Sequence, residues 1–410
     1  MPPRSLLIHH IGLLCGIRSA HERFVSGASM RNLPCLQNAY LLIENGRIKS
    51  FGDMSQAPDR AEEMLDASGR IVLPAWCDSH THLVFAGSRE QEFTDRLRGL
   101  TYEQIAARGG GILNSAAKLN ATPQEKLLED ALLRLEEIQS FGTGAVEIKS
   151  GYGLTTDGEL KMLRVIKRLK ELSPLTIKAT FLGAHAYPAE YKNNHRAYLN
   201  LLINEMLPRI AAEGLADFMD VFCEQNYFSV EEMEQLLEAG TRYGLQGKVH
   251  VNQFSILRGV QAAVKHGCRS VDHLELLSDE DVSSLQQCDT MPVALPGCSF
   301  FLGIPYTPAR RLIDSGLPMA LASDFNPGSA PSGNMNFVNA LACIQMKLLP
   351  EEALNASTIN GAYAMNVHDT LGSVTPGKIA NLIITKPAQN IAELPYYFGR
   401  NPVEKTILFK

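Results

Sequence analysis

The sequence predicts an α/β protein: a TIM-like (β/α)8 barrel with a small β-sandwich domain built from both termini. The length of 410 residues is one basis for this prediction. The others are a central segment in which short apolar runs alternate with amphipathic segments of helical length, and a return to strand-like runs near the C-terminus. A barrel takes roughly 250 residues, which leaves room for a second, smaller domain. We expect the small domain to comprise residues 1–74 plus 366–410 and the barrel to comprise residues 75–365.

The terminal segments carry short apolar runs separated by turn signals such as Asn45-Gly46. These runs cover residues 6–14, 39–43, 47–51 and 70–73 at one end and residues 380–385 at the other. We expect the N-terminal runs to form a small antiparallel unit. Since the chain begins and ends in strands, both ends are expected to build one β domain.

The central segment contains eight apolar runs, the number of strands that closes a barrel. They cover residues 75–82, 145–149, 176–185, 218–224, 247–252, 270–275, 291–296 and 318–324. Segments 124–140, 157–172 and 229–243 have helical length and lie between them, and Ser229 and Glu232 have the spacing of a capping box. Two more helical stretches are expected at 334–348 and 350–365.

Composition and charge exclude several classes of protein. Hydrophobic residues make up 45% of the chain and charged residues 20%, which is typical of a globular protein with a sizeable core. The net charge of −6 offers no positive field for a phosphate backbone, so no nucleic-acid partner is expected. No run of 18 apolar residues occurs, so no membrane partner is expected.

The cysteines and the N-terminus indicate a cytoplasmic protein. Eight cysteines are scattered without a C-x-x-C pair, which fits a reducing compartment. The apolar stretch 5–17 has the length of a signal-peptide core, but it contains His9 and His10 and no small-residue cleavage site follows it. We therefore interpret it as a strand.

Five of the eleven histidines fall at or beside the ends of predicted strands, where the reactive groups of a barrel lie. They are His80, His82, His185, His250 and His273. The i, i+2 spacing of His80 and His82 puts both side chains on one face of a strand. With His250 ending the fifth run and Asp324 the eighth, three imidazoles and one carboxylate suit Zn²⁺ or a similar first-row metal.

Each of these residues also has an ordinary structural interpretation. Strand-end histidines can be satisfied by backbone carbonyls, and Asp324 could be a surface turn carboxylate. The apolar stretch 318–322 before Asp324 and the turn-like Asn326-Pro327-Gly328 after it argue against the surface position. Considered alone, Arg89 and Tyr152 would be taken for ordinary loop residues.

Six segments, in this order, resemble the amidohydrolase superfamily and, within it, the family that acts on 4-imidazolone-5-propanoate in histidine catabolism. The segments are HTHLVFAGSR at 80–89, GGGI at 109–112, EIKSGYGL at 147–154, LGAHA at 182–186, DVFCE at 220–224 and DFNPGS at 324–329. They span nearly the whole chain. The resemblance implies metal-dependent hydrolysis of the ring amide C–N bond of this small-molecule substrate to N-formimidoyl-L-glutamate in L-histidine degradation.

The resemblance also implies a site and its cofactor: one Zn²⁺ or Fe³⁺ per subunit of a homodimer. The metal ligands would be His80, His82, His250 and Asp324. The catalytic residues would be Asp324, His273, His185 and Gln253. The substrate would be surrounded by Arg89, Tyr152, His185, Gln253, Asn326, Gly328 and Ser329. Arg89 has the planar fork that binds a carboxylate such as the propanoate, and Asp324 could carry a proton from water to the leaving ring nitrogen.

Two departures from the family pattern leave questions open. The family shows an aspartate two residues after the fifth-strand histidine, whereas this chain has Asn252; the change either removes a charge near the metal or keeps a structural shape. Binuclear relatives carry a metal-bridging lysine at the end of the fourth strand, and this chain has none, so a single metal is expected. Glu224, found there instead, could orient a ligand histidine.

Two other functions remain as alternatives. One is a related amidohydrolase, a deaminase or a lactam hydrolase, acting on another small cyclic substrate. The other is a barrel that has lost catalysis and serves in interactions, for which a broken ligand set would be expected. The separate roles of His185 and His273 are not decided by the sequence.

Overall fold

The computed structural model describes residues 4–100, 104 and 110–410. Its first five strands belong to a terminal sheet. They are β1 (Ser5–Cys15), β2 (Cys35–Glu44), β3 (Arg47–Asp53), β4 (Glu63–Asp66) and β5 (Ile71–Pro74). The strand expected at the N-terminus is confirmed as β1. The purely antiparallel pairing expected for this unit is wrong: β2 and β3 pair antiparallel, but β4 and β5 both run parallel to β1. The long β1 accommodates β4 along its first half and β5 along its second half.

The next eight strands form the barrel, and each runs parallel to the one that follows it. They are β6 (Trp76–Thr81), β7 (Thr143–Lys149), β8 (Thr176–Ala184), β9 (Phe218–Cys223), β10 (Gln246–Val251), β11 (Ser270–His273), β12 (Met291–Ala294) and β13 (Ala320–Leu321). Each overlaps one of the eight predicted runs, so the predicted barrel is confirmed.

The barrel closes through residues that follow its shortest strand, β13. The Asp324 N–H donates to the His80 carbonyl at 3.0 Å, and the His82 N–H donates to the Phe325 carbonyl at 2.9 Å. The Asp78 carboxylate accepts hydrogen bonds from the backbone and the hydroxyl of Ser323. This closure draws Asp324 to the end of β6, beside the two histidines of that strand.

Helices follow the barrel strands, as expected from the amphipathic segments. The described helices are Glu90–Leu97, Ile112–Ala121, Gln124–Ser140, Thr156–Leu172, His195–Leu201, Leu207–Glu213, Val230–Arg242, Gly259–Lys265, Asp279–Leu285, Pro296–Leu302, Ala309–Asp314, Met335–Ile344, Pro350–Ser357, Ile359–Ala364 and Glu393–Tyr396. The predicted capping box of Ser229 and Glu232 is present. The single helix expected at 350–365 is two helices, because Thr358 leaves the helical conformation between them.

The chain returns to the terminal sheet with β14 (Leu382–Thr385) and β15 (Val403–Ile407). β14 pairs antiparallel with β5 and with β15. The sheet therefore has seven strands from both termini and a single buried core, which includes Ile8, Leu41, Val72 and Ile384. The small β unit expected from both ends of the chain is thus one mixed sheet. Within the described residues, no helix combines the length and the apolarity that crossing a membrane requires.

Candidate metal and substrate site

The C-terminal ends of the barrel strands bring the predicted ligands together. The centroid of the His80 ring lies 4.4 Å from that of the His250 ring and 5.3 Å from that of the His82 ring. Two overlapping groups have potential ligand atoms within 4.8 Å of one another: His80, His82 and Asp324, and His80, His250 and His273. All five residues are buried. The structure therefore gathers the four predicted metal ligands and adds His273 as a neighbour.

Buried aspartates hold two of these rings by one nitrogen. His80 Nδ1 lies 2.6 Å from Asp272 Oδ2, and His250 Nδ1 lies 3.0 Å from Asp220 Oδ1. The opposite nitrogens, Nε2 of His80 and Nε2 of His250, are buried and have no hydrogen-bond partner among the residues that the structure describes. An imidazole fixed by a carboxylate through one nitrogen and free at the other is the usual state of a metal-ligating histidine.

The sequence reasoning assigned no role to Asp220 or Asp272. A signal was present for Asp220, which interrupts the otherwise apolar strand β9, whereas β11, the strand of Asp272, also contains Ser270 and His273. A carboxylate inside a buried strand must be paired or hydrogen-bonded. Asp220 lies on β9, next to the strand β10 that carries His250, whereas Asp272 on β11 contacts His80 on β6, which is not a neighbouring strand.

A buried lysine joins the two aspartates. Lys149 Nζ lies 2.8 Å from Asp220 Oδ2, 3.6 Å from Asp272 Oδ2 and 2.6 Å from Glu147 Oε1. All four side chains are inaccessible to solvent. Lys149 therefore ties the carboxylates behind His80 and His250 into one charged network, and sequence reasoning missed it. Lys149 lies at the end of β7, which is the second barrel strand. The fourth barrel strand, β9, carries no lysine, as expected from the sequence.

Burial keeps several imidazoles neutral. Desolvation lowers the pKa of His80 and His82 well below the ordinary value and lowers the pKa of His185 to about 3. Burial also raises the pKa of Asp324, although His273 and His250 act in the opposite direction. A neutral imidazole is the form that binds a metal ion.

His273 and His185 are each fixed through Nδ1. His273 Nδ1 lies 3.3 Å from Glu275 Oε1, and His185 Nδ1 lies 3.0 Å from the Gly151 carbonyl. The His185 ring stacks on His82 with centroids 5.2 Å apart. Gly151 has a φ of 103°, and a Cβ there would lie 2.9 Å from His185 Nδ1, so glycine is required. In both histidines Nε2 is the nitrogen left for another partner.

The predicted substrate residues Arg89, Tyr152 and Gly328 lie together. Arg89 Cζ is 5.8 Å from the centroid of the Tyr152 ring, and Arg89 Nε donates to Ser115 Oγ at 2.9 Å. In the part of the chain that the structure describes, Arg89 Nη2 is buried and has no hydrogen-bond partner. A Cβ on Gly328 would overlap Arg89 Nη1, so any other residue there would displace the guanidinium from this position.

Asn326 and Ser329 organise the turn that follows Asp324. Asn326 Oδ1 accepts hydrogen bonds from the N–H groups of Gly328 and Ser329 at 2.8 Å, and Nδ2 donates to the Asp324 carbonyl at 2.7 Å. The amide is thus engaged within the turn. Gln253, the remaining predicted residue, is buried and donates to Cys298 Sγ at 3.4 Å.

Asn252 and Glu224 have their hydrogen-bond partners away from the candidate metal ligands. Asn252 Nδ2 donates to Asp281 Oδ2 at 2.9 Å, on the helix Asp279–Leu285. Glu224 accepts from the Phe254 N–H at 2.9 Å and bonds the Ser255 hydroxyl. The hypothesis that Glu224 orients a ligand histidine is therefore wrong; its carboxylate holds the loop after β10. Gly109, in one of the six family segments, lies outside the described residues.

A parallel barrel that gathers histidines and an aspartate at the C-terminal ends of its strands defines a barrel enzyme with a site suited to a first-row metal. The amidohydrolase family model matches residues 71–408. An imidazolonepropionase from Flavobacterium johnsoniae is 59% identical over 403 residues, which cover 98% of each chain. The chain therefore belongs to the amidohydrolase family and, within it, to the imidazolonepropionases. It is a hydrolase of a superfamily that depends on metal ions.

Two solved structures show the same fold at low identity. A 5-methylcytosine deaminase from Klebsiella pneumoniae superposes with a TM-score of 0.73 at 17% identity, covering 97% of this chain and 95% of that one. An adenosine deaminase from Xanthomonas campestris with bound zinc gives a TM-score of 0.68 at 17% identity, covering 99% of this chain and 92% of that one. At this identity the likeness concerns the fold alone.

Proposed function

We propose that the chain hydrolyses the ring amide C–N bond of 4-imidazolone-5-propanoate to N-formimidoyl-L-glutamate in L-histidine degradation. The observation that carries this proposal is the meeting, at one barrel mouth, of a histidine–carboxylate cluster with a buried arginine whose Nη2 has no hydrogen-bond partner among the described residues. The cluster suits hydrolysis, and the arginine suits a substrate with a carboxylate tail. The 59% identity to an imidazolonepropionase over 98% of the chain supports the same reaction.

The cofactor would be one Zn²⁺ or Fe³⁺ per subunit, held by His80, His82, His250 and Asp324. The unpartnered Nε2 atoms of His80 and His250 support this assignment. When bound, such an ion makes water nucleophilic near neutral pH and polarises a carbonyl. A single ion is supported because the fourth barrel strand, β9, carries no lysine that could bridge two metals.

Three side chains at the barrel mouth would carry out proton transfer and bind the reacting groups. Asp324 Oδ1 lies 3.6 Å from Nε2 of both His80 and His82, so its carboxylate is placed to take a proton from the attacking water and return it to the leaving ring nitrogen. His185 is neutral and donates its Nδ1–H to the Gly151 carbonyl, so its Nε2 would accept a hydrogen bond from the substrate or the attacking water. Burial acts to lower the pKa of His273, but Glu275 and the nearby aspartates outweigh it, so His273 would donate Nε2–H to the ring carbonyl oxygen. A donor of this kind is worth about 3 kcal/mol in the transition state.

Substrate recognition falls to the other predicted residues. Arg89 and Tyr152 would hold the propanoate, and Gly328 leaves room for the guanidinium. Gln253 lies near the base of the mouth beside Cys298. Asn326 and Ser329 would act mainly by shaping the turn that positions Asp324.

The test is the loss of absorbance of freshly generated imidazolone propanoate on addition of the purified chain. We expect turnover that disappears on chelation and returns when zinc or iron is restored. The metal that restores the rate at one equivalent per subunit identifies the cofactor. Failure of the metal-loaded protein to turn over this substrate contradicts the proposal and directs the search to other cyclic amides and amidines.

We further propose the domain limits 1–74 plus 366–410 and 75–365, a cytoplasmic location and a homodimer. The strands of the terminal sheet all come from the first range, and the eight barrel strands come from the second, which supports the division. The eight cysteines, all free, support a reducing compartment. The homodimer rests on the family resemblance, and light scattering of the purified protein tests it.

A further inference from the structure

Two cysteines face each other across the end of the β1–β2 pair. Cys15 and Cys35 are partners in the antiparallel register. The next residue, Gly16, donates its N–H to the Pro34 carbonyl at 3.0 Å. Because hydrogen-bonded and non-hydrogen-bonded pairs alternate along such a ladder, Cys15 and Cys35 form a non-hydrogen-bonded pair, whose Cα atoms are about 4.5 Å apart. Disulfides span Cα separations of about 4.4–6.8 Å, so the backbone already suits a cross-link.

The two thiols differ in their surroundings. Their side chains are in hydrogen-bonding contact, and both are free. Cys15 is fully buried, whereas Cys35 is exposed. The hydrogen bond to Cys35, together with burial, raises the pKa of Cys15. The hydrogen bond from Cys15 and that from the Gly16 N–H lower the pKa of Cys35. Cys35 Sγ also donates to the Leu33 carbonyl at 3.2 Å, so Cys35 is a thiol that loses its proton before it attacks. An accessible thiol with a lowered pKa beside a protected one is the arrangement of an attacking and a resolving cysteine.

We propose that Cys15 and Cys35 are a reversible redox pair, which an oxidant of the peroxide class converts into a disulfide. The Cys35 thiolate attacks one peroxide oxygen; the O–O bond breaks, Cys35 becomes a sulfenic acid and the departing hydroxide leaves as water after taking a proton. The Cys15 sulfur then attacks the Cys35 sulfur; the S–S bond forms, the S–O bond breaks and a second water leaves. Two thiols thus give up two electrons and two protons to one peroxide.

The disulfide would close a loop that is already docked on the barrel. Within residues 16–34, the Val25 N–H donates to Asn360 Oδ1 at 2.9 Å and the Gly27 N–H donates to the Leu317 carbonyl at 3.0 Å. The Met30 carbonyl accepts from Asn355. Since the native loop is held in place before oxidation, the cross-link acts mainly on the unfolded chain, and we expect Tm to rise by about 3–6 °C.

The experiment treats the full chain with a small excess of hydrogen peroxide and maps its peptides without reduction. We expect two of the eight thiols to disappear, a linkage between the peptides that contain Cys15 and Cys35, and reversal of both the linkage and the Tm shift by dithiothreitol. Cys35→Ser abolishes the linkage and the shift. The matched control Cys343→Ser removes another partly exposed cysteine and leaves both intact.

Cys35→Ser changes an exposed position, so its result does not depend on folding at the buried one, and a second variant at Cys15 tests the first oxidation step separately. In Cys15→Ala, oxidation stops at Cys35 sulfenic acid, which dimedone traps on the intact chain. The proposal is overturned if the wild-type chain keeps all its thiols, if Cys35 proceeds to sulfinic acid while Cys15 stays reduced, or if Cys35 links two chains instead.

Discussion

Arg89 occupies a buried position that a solvated loop arginine would not need. Its side chain is 10% exposed, and Nη2 has no hydrogen-bond partner within residues 4–100, 104 and 110–410. We expect Arg89→Ala to raise KM for imidazolone propanoate about 10- to 100-fold with a smaller effect on kcat, because a charge-assisted hydrogen bond to the substrate is worth about 1.5–3 kcal/mol. Steady-state kinetics measure both constants.

The control for this substitution is Arg98→Ala, which removes an arginine whose side chain is 67% exposed. It should leave both kinetic constants unchanged. A fall in kcat for Arg89→Ala at constant KM would show that Arg89 serves the reacting centre and not the propanoate.

Asn252 affects folding stability through Asp281 and leaves the metal site untouched. Its amide donates to a buried carboxylate at 2.9 Å, and its φ of 56° is one that asparagine and aspartate both tolerate. In Asn252→Asp, two buried carboxylates would meet, so we expect a loss of about 1–3 kcal/mol of unfolding free energy. Metal content by mass spectrometry should stay the same while the urea midpoint falls. A changed metal content at unchanged stability would contradict this.

At the residue scale, the sequence could place the candidate ligands but not their supports. His80, His82, His250 and Asp324 are predictable because strand ends in a barrel meet at one mouth. Asp220 and Asp272 hold two of these rings from other strands. Spacing along the chain does not show which side chains of different strands come into contact. The direction in which the Asn252 side chain points likewise depends on its hydrogen bond to a helix about thirty residues further along the chain.

Lys149 couples three barrel strands through their carboxylates. It lies on β7, and its partners Asp220 and Asp272 lie on β9 and β11. Lys149→Met leaves buried carboxylates without their cation, so we expect a loss of about 3–5 kcal/mol of stability. Because those carboxylates orient His80 and His250, metal affinity should fall about 10- to 100-fold. Competition with a chromophoric chelator measures the affinity.

The control for Lys149 is Lys126→Met, which breaks an exposed ion pair within one helix. Such a pair contributes at most about 1 kcal/mol, and its loss should leave metal affinity unchanged. Wild-type metal affinity in Lys149→Met would show that the aspartates hold their rings without the lysine.

Asp217 joins the helix Thr156–Leu172 to β8. It accepts hydrogen bonds from Lys170 at 2.7 Å, the Ala179 N–H at 2.8 Å and Lys178 at 3.0 Å. Burial acts to raise the pKa of Asp217, but Lys170, the Ala179 N–H and Lys178 outweigh it, so the net pKa is lowered. A lowered carboxyl pKa stabilises the fold above the unfolded value of about 3.9, and this contribution is lost as the pH falls toward the folded value.

We therefore expect Asp217→Asn to lose about 1–3 kcal/mol at pH 7, and the difference from wild type to shrink below about pH 4. Urea unfolding between pH 7 and pH 3.5 measures the difference. Asp157→Asn, which changes an exposed carboxylate, should show no such trend. A difference that grows on acidification would contradict the assignment.

At the scale of elements, long periodic segments were predictable and short edge strands were not. The helix Gln124–Ser140 and the eight barrel strands follow from apolar period and length alone. The residues of β4 and β15 are largely polar or exposed. β4 pairs with β1, which lies far away in the chain, and β15 pairs with β14, which also pairs with β5. The parallel pairing of β4 with β1 has no local signal, because it depends on which edge of β1 remains free.

A metal ion that binds the folded barrel alone should stabilise the whole molecule. Binding at a thousandfold excess over Kd contributes about 4 kcal/mol. We expect exhaustive chelation to lower Tm by about 4–8 °C and to abolish turnover, with zinc or iron restoring both. Calorimetry beside metal analysis of the dialysed protein measures this. Loss of the metal without any change in Tm would place the ion outside the buried histidine cluster.

The terminal sheet has a consequence for synthesis of the chain on the ribosome. β5 emerges before the barrel, whereas β14, which covers its free edge, emerges after the barrel is complete. Until then, the nascent chain carries an unprotected strand edge of the kind that pairs with other chains. Stop codons late in the message, beyond the last barrel helix, would therefore yield products that keep every candidate catalytic residue and still aggregate.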